Sequence, residues 1–319
     1  MSIPNNLQNL SVPVIAAPMF IVSSKEMVLA QCKSGIIGSF PALNARGEGE
    51  FEHWLQFLSD ELDKYNQQNP DNPAAPFAVN QIVFKSNARL HEDMELCVKY
   101  KVPIIITSLG AVPEINHAAH SYGGIVLHDV INQRFAKKAI EKGADGLIAV
   151  AAGAGGHAGS LSPFALVQEI RQWFDGPLAL SGSIATGDAV LAAQAIGADF
   201  AYIGSSFIAT QEANAVEDYK QMVVDSKAND IVYSDYFTGV SGNYLKPSIE
   251  AAGLDPDNLP DGDISAMQKI TDETSDSKAW KDIWGCGQGI GAVDQVQTVA
   301  NKVIRLKNEY KAARDRLAL

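Results

Sequence analysis

Three glycine-rich segments carry residue types suited to holding an anion: residues 153–159 (GAGGHAG), 181–187 (SGSIATG) and 204–206 (GSS). Glycine lets a backbone approach a ligand closely, and N–H groups at the start of a helix attract negative charge. Any one segment alone is better explained as a simple turn. Because the second and third both combine glycine with hydroxyl residues, we predict that together they bind a phosphate group. The residues concerned are Ser181, Gly182, Ser183, Gly204 and Ser205.

His157 is the side chain in these segments best suited to proton transfer. It lies among four glycines, where little bulk can bury it. A histidine with an ordinary pKa near 6.5 accepts a proton or hydrogen-bonds an anion close to neutrality. A surface histidine without a role is the alternative. His128, directly after a predicted strand, is a second candidate to face the site.

The elements that position these residues alternate regularly along the chain. Eight β-branched runs predict strands at 12–17, 36–40, 77–83, 102–107, 124–127, 146–151, 177–181 and 200–204. Amphipathic segments between them predict helices at 25–33, 48–65, 88–99, 112–121, 132–142, 163–174, 187–196 and 206–214. Strict alternation predicts a parallel sheet covered by helices, and eight units are the count of a (β/α)8 TIM barrel. A doubly wound sheet gives a similar alternation.

The glycine segments follow the sixth, seventh and eighth predicted strands, where a barrel places its active-site loops. Residues 153–158 also match the loose dinucleotide pattern G-x-G-x-x-A. That pattern belongs in the first βα unit, before a strand that ends in an acidic residue. Here it lies mid-chain and the next strand ends at Ser181, so we do not favour a dinucleotide site.

We divide the chain into a barrel core at 1–215 and a second part at 216–319 that is not an independent domain. Within it, residues 254–282 carry eight acidic residues against three lysines and predict an irregular, lid-like insertion. Apolar residues from Val293 to Leu317 recur at helical spacing, which predicts a C-terminal helix that packs on the barrel.

Composition excludes several classes of protein. A formal net charge of −12 is the wrong sign for a nucleic acid or an anionic membrane surface, so we expect neither partner. The three cysteines, Cys32, Cys97 and Cys286, form no pattern typical of disulfides or of a metal site, and we predict no metal. No leader or membrane span is apparent, so we expect a cytoplasmic location.

Taken in order, these motifs resemble those of the nitronate monooxygenase family, formerly called 2-nitropropane dioxygenases. The matching pieces are Ala17-Pro18-Met19, Asn80, and residues 155–159 (GGHAG), 181–185 (SGSIA), 204–206 and 284–291 (WGCGQGIG). The resemblance covers nearly the whole chain. It implies an FMN-dependent TIM barrel that oxidises alkyl nitronates with dioxygen to carbonyl compounds and nitrite, with nitroalkanes as a further candidate substrate.

The resemblance also implies roles for individual residues. His157 would be the base or would orient the substrate, and residues 238–240 (TGV) would lie near the substrate. The set predicted to bind FMN, including loop residues and the second histidine, is Ala17, Pro18, Met19, Asn80, His128, Gly155, Gly156, Ser181, Gly182, Ser183, Gly204, Ser205 and Gln288.

The chain departs from the family pattern at three positions. Ser183 and Ser205 stand where glycine and threonine are common, and phosphate binding at Ser183 survives if its φ is negative. Ala154 stands where an acidic residue is frequent.

An FMN-dependent NAD(P)H reductase acting on enoyl-acyl-carrier protein or on quinones has the same fold and is the alternative function. An FMN-binding sensor or storage protein would not need His157. The sequence leaves a homo-oligomeric state open.

Overall fold

Eight parallel strands close into a ring, which confirms the predicted (β/α)8 TIM barrel. The computed structural model of the chain describes residues 3–84, 86–262 and 282–318. The barrel strands are β1 Val14–Ala16, β2 Gly38–Pro41, β3 Phe77–Ile82, β4 Ile104–Ser108, β5 Ile125–Val130, β6 Gly146–Val150, β8 Leu178–Ser181 and β9 Phe200–Ile203, whereas β7 Gly156–His157 lies outside the barrel. Neighbours around the ring are β1-β9-β8-β6-β5-β4-β3-β2. A parallel bridge between Ile15 and Ile37 joins β1 to the start of β2 and closes it.

Helices cover the outside of the ring. They are α1 Lys25–Lys33, α2 Glu50–Gln68, α3 Leu90–Lys99, α4 Pro113–His120, α5 Gln133–Glu141, α6 Pro163–Arg171, α7 Gly187–Ala195, α8 Ser205–Ile208, α9 Glu217–Asp225, α10 Lys246–Ala251 and α11 Val299–Leu317. Short 3₁₀ helices occur at Asn5–Leu7, Ala42–Asn44, Ala228–Asp230 and Gln288–Ala292. Within the described ranges no helix is both long and apolar enough to cross a membrane.

Several helices begin where the sequence supplies an N-cap. The side-chain oxygens of Ser24, Asn132, Thr186 and Thr298 each accept a hydrogen bond from a backbone N–H in the first turn of α1, α5, α7 and α11. Such a bond satisfies one of the donors left open at the start of a helix. These caps fix where each helix starts relative to the loop before it.

The eighth helix is shorter than predicted. α8 is a single turn that ends at Ile208, whereas the apolar pattern predicts a helix to residue 214. The backbone beyond it pairs with other segments: Gln211 N–H donates to Gln297 O at 2.9 Å, and Asn214 N–H donates to Val22 O at 2.9 Å. These bonds replace the intrahelical ones that a longer helix would need.

Side chains on the barrel strands alternate between two buried layers. On β4, Ile104 and Ile106 pack inside the ring with Ile15 and Ile37. Ile105 points the other way, into the layer between the ring and the helices. This period of two decides which polar residues at the ends of the strands face the barrel mouth.

The chain after residue 216 holds more regular structure than its sequence indicates. β10 Ile231–Ser234 and β11 Gly242–Leu245 are antiparallel, and β11 also pairs with β7 to form a three-stranded sheet. The predicted C-terminal helix is confirmed as α11, which packs against α7 and α1. Most of the predicted acidic lid at 254–282 falls on 263–281, outside the described residues.

Candidate active site

A cavity of about 370 Å³ opens at the carboxyl ends of the barrel strands. Loops from both halves of the barrel and from the chain after residue 214 line it. Most of the predicted site residues meet here. Those on its wall are Ala17, Pro18, Met19, Asn80, Gly155, Gly156, His157, Ser181, Gly204 and Ser205.

A second, small cavity of about 20 Å³ adjoins the first. The segments after β6, β8 and β9 line it, as do Gly287 and Gly289 from the late part of the chain. Its wall includes the remaining residues predicted to bind phosphate, Gly182 and Ser183. Five residues line both cavities: Gly155, Ser181, Tyr202, Gly204 and Ser205. The small cavity therefore directly adjoins the large one, and we call it the nest.

Two glycines in the nest leave no room for a side chain. A Cβ on Gly153 would stand 2.1 Å from Ser183 Oγ, and a Cβ on Gly155 would stand 2.5 Å from Ser205 Oγ. Ser205 Oγ accepts a hydrogen bond from Gly287 N–H at 2.8 Å. Serine hydroxyls thus occupy the space that these glycines leave, so the close approach is part of how the nest is built.

Ser183 does not meet the condition set from the sequence, because its φ is +56° rather than negative. This is the left-handed region, which costs a residue with a Cβ roughly 1–2 kcal/mol. Its N–H donates to Gly153 O at 3.3 Å, a long bond within the nest itself. The residue most common at this position in the family, glycine, would adopt this backbone without strain.

His157 is held by the late three-stranded sheet. On β7 it pairs with Gly242 of β11, and its Nε2 lies 2.9 Å from Thr238 Oγ1. The Thr238 hydroxyl lies 2.9 Å from Val240 O and can donate to it, and in that arrangement Nε2–H is the donor to Thr238. Residues 238–240, which the resemblance places near the substrate, therefore fix the tautomer of the imidazole.

The surroundings of the His157 imidazole also lower its pKa. Desolvation lowers the pKa of His157 to about 4, so the ring is neutral at pH 7. It can accept a proton there, but more weakly than its ordinary pKa implies.

His128 does not line either cavity. It points outward from β5 into the layer beneath the helices, where its Nδ1 lies 2.6 Å from Thr107 Oγ1. Burial lowers its pKa to about 4. The next residue, Asp129, faces the cavity instead. Sequence reasoning missed Asp129 because it favoured the neighbouring histidine.

Asp129 ends a polar chain across the cavity floor. Asn80 Nδ2 donates to Ser108 Oγ at 2.7 Å and to Ile106 O at 3.1 Å. Burial raises the pKa of Asp129 to about 6, although hydrogen bonds from the Ser108 hydroxyl and Leu109 N–H favour the carboxylate. A carboxyl group that changes charge near neutrality therefore lies in the cavity wall.

Two aromatic residues that were not among the predicted site residues, Tyr219 and Trp284, complete another wall. Trp284 stacks on Tyr219 with ring centroids 4.8 Å apart and planes at 14°. The Tyr219 hydroxyl donates to Gly285 O at 2.5 Å, which ties α9 to the late segment. Gln288, by contrast, is exposed and lines neither cavity; its N–H donates to Gly153 O at 2.9 Å.

The loop after β1 is held in a strained shape at the cavity wall. Ile21 has a φ of +66°, a rare conformation for a β-branched residue. Asn44 Oδ1 accepts from Ile21 N–H at 2.9 Å, and Asn44 Nδ2 donates to Met19 O at 3.0 Å. Asn214 Nδ2 donates to Ile21 O at 3.0 Å. Strain held by several partners is common at functional sites, and it supports the assignment of this cavity.

Comparison with known proteins places this site in a family. The sequence model described as nitronate monooxygenase matches residues 3–309. The chain belongs to the nitronate monooxygenase family. As a member it is an enzyme, an oxidoreductase of the monooxygenase kind.

Individual relatives are distant. A nitronate monooxygenase of Paraburkholderia phytofirmans is 24% identical over 285 residues, which cover 76% of each chain. Among solved structures, a FabK variant from Thermotoga maritima has a TM-score of 0.74 at 22% identity and covers 98% of this chain and 97% of its own. Nitroalkane oxidase from Streptomyces ansochromogenes has a TM-score of 0.74 at 19% identity and covers 98% of this chain and 99% of its own. At such identities these two structures support the fold alone.

Proposed function

We propose that this enzyme uses FMN to oxidise alkyl nitronates with dioxygen, giving carbonyl compounds and nitrite. The observation that carries the proposal is that the nest, which suits an anion, adjoins a cavity that holds a neutral, oriented His157. When bound, FMN would accept electrons from the substrate and pass them to dioxygen.

The described residues fit FMN. The nest offers serine hydroxyls and closely packed backbone around a space too small for a ring, which suits a phosphate group. In ring order β8 and β9 lie across the barrel from β3 and β4. A ligand with its phosphate in the nest would therefore extend over the mouth toward Asn80 and Ser108. Ala17, Pro18 and Met19 would supply an apolar wall along it.

His157 suits a substrate that is already an anion. With its pKa near 4 it has little tendency to remove a proton from a neutral nitroalkane. A nitronate has already lost that proton, and its negative charge beside the ring would raise the pKa of the imidazole. We therefore assign His157 the orientation and charge stabilisation of the nitronate, with Nδ1 as the nitrogen able to take a proton.

Anaerobic mixing of the purified yellow protein with ethylnitronate or with NADH tests the proposal. We expect the nitronate to bleach the flavin absorbance and NADH to leave it unchanged over the same time. Heat release should give FMN rather than FAD, and aerobic turnover should give nitrite. Bleaching by NADH alone would favour the reductase alternative, and a protein that cannot be loaded with flavin would contradict both.

A further inference from the structure

The C-terminal helix holds the segment that follows β8. Lys302 on α11 is only 3% exposed, and its Nζ donates to Ala185 O at 3.0 Å. Glu309, two turns further along, accepts from Gly187 N–H at 2.9 Å. A Cβ on Gly187 would stand 2.1 Å from Tyr310 N, so the two backbones are in direct contact. The shape of residues 185–187 thus depends on α11.

Lys302 differs from the other charged residues around it. Asp294 and Glu309 are both ion-paired to Arg305, at 2.6 and 2.8 Å. Among the residues that the structure describes, no carboxylate lies within ion-pair distance of Lys302 Nζ. The acceptor of its hydrogen bond, Ala185 O, is a neutral carbonyl oxygen. Burial lowers its pKa to about 8, with repulsion from Arg305 adding to the effect and attraction from Glu309 and Asp294 opposing it. A buried ammonium that donates to a neutral carbonyl, while the nearby carboxylates Asp294 and Glu309 are paired with Arg305, is costly, so this position calls for an explanation.

The explanation lies on the other side of the segment. Ala185, whose carbonyl Lys302 holds, lines the nest together with Gly182 and Ser183. We propose that Lys302 is a positioning residue for the cofactor phosphate: it fixes the Ala185 carbonyl and sets a positive charge behind the wall of the nest. The phosphate dianion adds to the negative charge of Asp294 and Glu309, both of which are paired with Arg305. This inference rests on the proposed binding of FMN.

Riboflavin, which lacks the phosphate, separates this role from a merely structural one. Dissociation constants for FMN and riboflavin are measured by flavin fluorescence on the full-length chain stripped of flavin. The proteins are the wild type, Lys302→Met, Lys302→Arg, and the control Lys307→Met, which removes an exposed lysine from the same helix. We expect Lys302→Met to weaken FMN binding by about ten-fold or more while riboflavin binding stays within two-fold. Lys302→Arg should restore most of the loss, and Lys307→Met should change neither constant.

Equal losses for FMN and riboflavin, or no loss for either, would overturn the role of Lys302 while leaving the proposed function intact. A wild type that binds neither flavin would overturn both.

A measurement on the wild type covers the case in which Lys302→Met does not fold. Calorimetry at pH 8.5 in two buffers of different ionisation enthalpy counts the protons exchanged on binding. A lysine with a pKa near 8 is mostly neutral at that pH, and a neighbouring dianion would protonate it. We expect the protein to take up as much as about 0.7 proton when FMN binds and none when riboflavin binds. Equal proton exchange for the two ligands would refute the proposal.

Discussion

Asp129 should make the folded protein less stable at neutral pH than at acid pH. Its carboxyl group has a pKa near 6 in the folded chain because it is buried, against an ordinary value of 3.8. A raised folded-state pKa means that the contribution of this group to stability is present below the unfolded value and is lost as the pH rises through the folded one. A difference of about two units corresponds to about 3 kcal/mol at pH 7.5 and about 1 kcal/mol at pH 4.5. Asparagine has nearly the same shape and cannot ionise.

Urea unfolding of the flavin-free chain at these two pH values tests this reasoning. We expect Asp129→Asn to raise the free energy of unfolding by up to about 3 kcal/mol at pH 7.5 and by clearly less at pH 4.5. The bonds from Ser108 and Leu109 to the carboxylate make the larger figure an upper limit. Asp175→Asn, at an exposed loop position, is the matched control and should show no such pH dependence. A gain that is the same at both pH values would refute the argument from ionisation.

The other predictions concern the nest and the imidazole. Gly204→Asp should abolish FMN retention because its carboxylate would repel the phosphate, and the barrel should still fold because a Cβ at this position meets only ordinary contacts from 3.4 Å upward. The control Gly204→Ala should retain flavin, and equal flavin content in both variants would place the phosphate elsewhere. Ser183→Gly should raise the free energy of unfolding by about 1 kcal/mol by relieving the left-handed φ; a loss measured by urea unfolding would show that its hydroxyl contributes more. His157→Ala should lower turnover of a preformed nitronate by about 10²-fold, because it removes the group that orients and stabilises the anion, with FMN content unchanged; unaltered turnover of the nitronate would show that the ring has no role.

The barrel could be predicted from the sequence because its evidence is repeated eight times. Each β-branched run and each amphipathic segment supports the same alternation, and an error in one boundary, such as the overlong eighth helix, leaves the count unchanged. The place of the glycine segments at the site could be predicted for a similar reason, because several segments show the same pattern and a close approach of two backbones favours glycine.

The direction of single side chains could not be predicted in the same way. The run from Ile125 to Val130 carries two apolar residues and one polar residue on each face, so its pattern does not show whether His128 or Asp129 faces the mouth. The sign of φ at Ser183 has no local signal either, because serine rarely adopts it. Tyr219 and Trp284 enter the cavity through tertiary packing of segments that are far apart in the chain.

The pairing of β7 with β11 sets the order in which the site can be assembled. His157 and the hydroxyl that orients it are 81 residues apart. A ribosome adds about 5–20 residues per second, so Thr238 is synthesised roughly 4–16 s after His157. The last barrel strand, β9, ends at Ile203, so all eight barrel strands are synthesised before Thr238. The strands that form the barrel are therefore complete in the growing chain before the residue that holds the His157 ring is added.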